Sequence, residues 1–155
     1  MIIITVLAAA ASLAAAPPPD AASGPAPKCP GEATVEINDC QSAVLAKAEA
    51  EQKRYLAAAR QRITAAAADD AGAAKALAQF DKVQAAWAAY READCGALYD
   101  YWSAGTIRGT IALTCQIDLT RARTHTVWSE YLTYMDSTPP DLPEPSTASG
   151  APFAN

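Results

Sequence analysis

The distribution of proline constrains this chain more than any other feature. All eleven prolines lie outside one central stretch: Pro17–Pro19, Pro25, Pro27 and Pro30 precede it, and Pro139, Pro140, Pro143, Pro145 and Pro152 follow it. Proline removes a backbone donor and clashes with the preceding helical turn. A long stretch without it, here Gly31 to Thr138 and rich in alanine, is therefore free to be helical. The flanks carry the opposite signal. Residues 17–28 read as a flexible linker and residues 137–155, with Pro, Ser, Thr, Gly and Ala, as a disordered tail.

Within the central stretch, apolar residues spaced by three and four predict three helices. The first runs from near Thr34, its expected N-cap, to about Ala68, with Ile37, Val44, Leu45, Ala48, Tyr55, Leu56, Ala59 and Ile63 as its apolar positions. Asp69-Asp70-Ala71-Gly72 reads as a turn. The second runs from about Ala73 to Cys95, with Leu77, Phe80, Val83, Trp87 and Tyr90 as one inward stripe and Gly96 as the C-terminal glycine. Residues 96–110 read as a loop. The third helix runs from about Ile111 to Met135, with Leu113, Ile117, Thr120, Val127, Trp128, Tyr131 and Met135 inward. The expected architecture is all-α: an antiparallel three-helix bundle over residues 29–136.

The first sixteen residues carry no charged side chain and begin with an isoleucine-rich apolar run that ends in alanines. They read as a signal peptide, too short and alanine-rich for a comfortable membrane span. A cut after Ala14 fits the preference for small residues better than one before Pro17. The expected location is periplasmic or secreted, with no membrane anchor after cleavage. The cysteines agree: Cys29, Cys40, Cys95 and Cys115 are even in number, follow the apolar segment and form no Cys-x-x-Cys, which suits two disulfides better than a metal. In an antiparallel bundle the end of the second helix meets the start of the third. Cys95–Cys115 would then close the connecting loop and Cys29–Cys40 would tie down the start of the first helix. Cys40–Cys95 with Cys29–Cys115 is also geometrically open.

The chain carries a net charge of −5, but residues 28–136 hold 12 basic and 14 acidic side chains and no basic stripe, which disfavours nucleic acid. A mildly acidic surface suits a basic protein partner. No nucleophile motif or His-Glu-x-x-His occurs, and the single histidine, His125, reads as solvent-facing. The chain is thus expected to be no enzyme and to hold no cofactor, metal or small-molecule ligand.

The segment Trp87-Ala88-Ala89-Tyr90-Arg91-Glu92-Ala93-Asp94-Cys95 resembles the W-x-x-[YF]-R-x-x-x-C signature of the LprI-type lysozyme inhibitor family. Ala104-Gly105-Thr106-Ile107-Arg108 is similar to that family's glycine-containing stretch. Cys115 followed by Leu119-Thr120-Arg121-Ala122-Arg123 is similar to its C-x-x-x-L-T-x-x-R motif, and Cys29 and Cys40 match its opening cysteine pair. The resemblance implies a helical, disulfide-bonded domain and, as activity, inhibition of lysozyme by protein contact. On the residues themselves, Trp87, Tyr90 and Thr120 are expected to be structural and Arg91 and Arg123 to be pins between helices. The loop residues Tyr99, Tyr101, Trp102, Ser103, Thr106 and Arg108 are the candidate partner-binding set, because aromatics with arginine are typical interface anchors. Two further readings stand beside this one. Tyr99 and Trp102 fold back as a cap on the core, or the protein is an envelope interaction or structural protein that binds another exported partner.

Overall fold

The computed structural model describes residues 28–67 and 70–147; the expected signal segment 1–16, linker residues 17–27 and the final residues 148–155 lie outside them. Among the described residues there are three helices and no strand: α1 (Thr34–Ala67), α2 (Ala71–Tyr101) and α3 (Arg108–Tyr131). Thr34 is the first helical residue and not the cap. The carbonyl of Ala33 already accepts from the Ile37 amide at 3.2 Å. Asp70 caps α2, its carboxylate accepting from the Gly72 amide at 2.7 Å.

Both disulfides are sequential, Cys29–Cys40 and Cys95–Cys115, each with Cα atoms 5.6 Å apart. Contacts fix how the helices run. Arg60 pairs with Asp81, and Glu49, earlier on α1, pairs with Arg91, later on α2. From α1 to α3 the order is the same in both helices: Asn38 meets Thr110 (2.7 Å), Gln41 meets Thr114 (2.9 Å) and Arg62 meets the Thr133 carbonyl (3.2 Å). From α2 to α3 it is again opposite, from Cys95–Cys115 through Arg91–Thr120 to Phe80–Tyr131.

The interior has three layers along the bundle. One apolar cluster holds Cys29, Val44 and Ile117 near the disulfides. The other holds Tyr55, Ala59, Phe80, Val127 and Leu132, with the Phe80 and Tyr131 rings edge to face at 5.1 Å. Between them lies a polar layer with buried Gln52, Thr120 and Thr124. The Thr124 hydroxyl donates to the Thr120 carbonyl, which satisfies a buried donor within one turn of α3.

Three expectations are corrected here. First, α2 does not stop at Gly96, which is exposed within the helix, nor is 96–110 a loop; only residues 102–107 are non-helical. One helical glycine costs about 1 kcal/mol, too little to end a helix whose Cys95 is already bonded to α3. Second, Val83, Tyr90 and Met135 do not face inward but are exposed. The true inward stripe of α2 is Phe80, Gln84, Trp87, Arg91 and Cys95. Its polar members find partners on α1 and α3, which turns the helix away from its purely apolar stripe. Third, residues 139–147 of the expected disordered tail fold back as a strap over the far end of the bundle.

That strap is held by specific bonds. The Tyr55 hydroxyl donates to the Pro143 carbonyl at 2.6 Å, Trp128 Nε1 to the Leu142 carbonyl at 2.9 Å, and the Asp141 amide to the Leu132 carbonyl at 2.9 Å. Leu142 packs on the cluster of Tyr55, Ala59, Phe80, Val127 and Leu132, and Pro145 is buried. Asp141 also takes Arg62 and the Tyr134 hydroxyl. That hydrogen bond holds the tyrosine proton and raises its pKa above the ordinary value of 10.0. A raised pKa means that the contact is fully present at neutral pH and is lost only as pH rises past the tyrosine range.

Tyr55→Phe leaves the Pro143 carbonyl without its donor and is expected to cost about 1 kcal/mol. Ending the chain after Ser137 removes the whole strap and is expected to lower the melting temperature further than Tyr55→Phe does. Thermal unfolding of the oxidised proteins checks both.

Candidate partner-binding surface

The signature residues lie around the polar layer. The Arg91 guanidinium donates to the Thr120 hydroxyl at 2.8 Å, pairs with Glu49 at 2.9 Å and stands 5.3 Å from the centre of the Trp87 ring. One side chain of α2 thus engages both other helices. Arg123 Nε donates to Gln84 Oε1 at 3.3 Å, a second tie between α2 and α3. Thr120 is fully buried and Trp87 half-buried. Tyr90 departs from the reading that placed it in the core: it is 54% exposed, and its hydroxyl reaches only Asp94, one turn on, at 3.3 Å.

The candidate binding residues come together at the disulfide-bonded end. Tyr99 and Tyr101 lie in the last turn of α2, Trp102 is its C-cap, Ser103 and Thr106 are in the connecting turn, and Arg108 opens α3. The turn closes through the Ser103 amide to the Asp100 carbonyl (3.1 Å) and the Gly105 amide to the Trp102 carbonyl (2.8 Å). Its side chains do not fold back as a core cap. Tyr101 is 80% exposed, and Leu98, Tyr99, Trp102 and Ile107 are each more than a third exposed.

The exposed groups are ordered among themselves. The Arg108 guanidinium stands 4.8 Å from the Tyr99 ring centre, and the Tyr101 and Trp102 rings meet edge to face at 5.7 Å. The base beneath them is crosslinked. Cys95 and Cys115 bind the two helices on which the turn is mounted. Gly109 admits α1 so closely that a Cβ there would lie 2.8 Å from Asn38 Nδ2. Such a surface offers apolar area and fixed hydrogen-bond donors to a partner.

A model of the family described as lysozyme inhibitor LprI matches residues 27–126. The chain belongs to the LprI lysozyme inhibitor family. No curated protein and no solved structure matches it. The family match takes in the exposed turn, both disulfides and the polar layer, and it ends before Trp128 of α3 and its C-cap Leu132, which hold the strap. Elsewhere on this LprI-family chain, His125 faces Glu144 at 3.1 Å. The described residues contain no group of three or more metal-ligating side chains, and no described helix is long and apolar enough to cross a membrane.

Arg91→Ala leaves Thr120 and Glu49 without their shared partner and is expected to destabilise the fold by roughly 1–3 kcal/mol. Trp102→Ala and Arg108→Ala, at exposed positions, are expected to stay within about 0.5 kcal/mol of the parent. Equilibrium denaturation separates the two classes.

Proposed function

We propose that this protein is exported and inhibits lysozyme by direct contact, without catalysis, through the surface formed by Tyr99, Tyr101, Trp102, Ser103, Thr106 and Arg108. The observation that carries the proposal is the cluster of exposed aromatic rings beside an arginine, on a base locked by Cys95–Cys115, in a chain of an inhibitor family. A lysozyme cleft carries two carboxylates. Arg108 supplies a charged donor for such a site, Ser103 and Thr106 supply hydroxyl donors, and the rings supply desolvated contact area. The Arg108–Tyr99 stacking and the disulfide limit the freedom lost on binding. Export is supported by the uncharged apolar segment at residues 1–16 and by the disulfides, which persist in oxidising compartments.

The test is inhibition of purified lysozymes of several types by the oxidised protein. Trp102→Ala and Arg108→Ala are expected to weaken inhibition at least about tenfold, the equivalent of 1.4 kcal/mol, while leaving folding intact. Reduction of the disulfides is expected to abolish inhibition. Unchanged inhibition by both variants would show that the surface lies elsewhere. A folded protein that inhibits no lysozyme would shift the account to another exported partner.

A further inference from the structure

One face of α2 stays exposed among the described residues. Val83 is 46% and Tyr90 54% exposed, and Ala86, Ala93 and Ala97 on the same face are exposed as well. The steps from 83 to 86, 90, 93 and 97 alternate three and four, which draws one continuous seam along a helix. The seam runs along the flank of α2, about a third of a turn around the helix from the inward stripe of Phe80, Trp87 and Cys95, and all of its members are exposed.

We propose that this seam binds a second copy of the chain, with the two α2 helices antiparallel about a two-fold axis near residue 88. Two properties of the face select that occupant and direction. The first is size. Reversal about residue 88 lays Tyr90 over Ala86 of the partner copy and Val83 over Ala93, so each large side chain meets a small one. By symmetry the same contacts form twice, as a two-fold interface requires. The second is charge. Asp81 and Arg91 pair with Arg60 and Glu49 of α1; the other charged residues of α2 are Lys75 and Lys82 in its first half and Glu92, Asp94 and Asp100 in its second. Antiparallel pairing sets the basic half of each helix over the acidic half of the other; parallel pairing sets like over like.

The arrangement has a geometric consequence. Tyr101 of one copy reaches the level of Lys75 of the other, 26 residues along α2. At 1.5 Å per residue the two exposed turns stand about 40 Å apart, at opposite ends of the dimer. Each copy then keeps its own aromatic surface, and the dimer presents two of them.

Sedimentation of the oxidised protein from low micromolar to near-millimolar concentration tests the proposal, with circular dichroism to confirm that each variant is folded. A monomer–dimer equilibrium is expected, with Tyr90→Glu raising the dissociation constant at least about tenfold. Lys75→Glu and Asp100→Lys are each expected to weaken the dimer, and the double variant K75E/D100K to restore it. A protein that stays monomeric throughout, including one that uses the seam for lipid vesicles instead, would overturn the proposal. So would a dimer indifferent to Tyr90→Glu, or one on which the charge reversals act without mutual rescue.

Discussion

Cys95 and Cys115 are joined less than two helical turns from the end of α2 and two turns from the start of α3. That bond sets the separation and direction of the two helical overhangs on which residues 102–107 are mounted. A disulfide acts mainly by restricting the unfolded chain, but here it also fixes the frame of the exposed surface. Cys29–Cys40 adds a second staple at the same end, where Val44 and Ile117 pack against Cys29. The end that presents the rings is thus covalently held, while the far end depends on the larger apolar cluster and on the strap.

The division of labour follows from composition. Much of the apolar content is alanine, which packs helices closely but buries little area per residue. Large side chains fill only two clusters, and the layer between them is polar. Arg91, Thr120, Glu49, Gln84 and Arg123 meet there across all three helices. Directional bonds of this kind specify register better than interchangeable methyl groups do, because a shift by one turn would leave buried partners unpaired. The W-x-x-Y-R-x-x-x-C segment is therefore one structural device: Trp87 flanks the arginine, Arg91 ties the helices, and Cys95 locks them one turn on. Tyr90, the remaining member, faces outward and takes no part in that junction.

Much of the fold was legible in the sequence. The apolar spacing within the proline-free stretch predicts three helices, and α1 (Thr34–Ala67) nearly matches the bounds expected for the first of them. Helix ends meeting in space favoured the disulfide pairing that is found. The register of α2 was not legible from hydrophobicity, because Gln84 and Arg91 occupy inward positions that Val83 and Tyr90 were expected to fill. Nothing local marks those polar residues as inward-facing; their partners lie 29 to 42 positions away in the chain. The continuation of α2 through Gly96 was hidden for a related reason, since a tertiary crosslink outweighs a modest helix penalty. The strap was obscured by its own composition. A Pro- and Ser-rich segment ordinarily cannot bury enough surface to order itself, yet Asp141, Leu142 and Pro143 meet partners as distant as Tyr55 and Arg62.

For the candidate surface, the sequence identified aromatic and arginine residues within a presumed loop, and the structure divides them between a helix end, a turn and a helix start. This difference matters physically. Rings carried on helical overhangs are held in place before a partner arrives, whereas rings on a fifteen-residue loop would have to be ordered on binding. The most direct measurement is backbone hydrogen exchange of the oxidised protein, alone and saturated with a lysozyme that it inhibits. The account predicts new protection concentrated at residues 98–108, with the strap unchanged. Protection confined to the strap or to α1, with residues 98–108 exchanging as in the free protein, would contradict it.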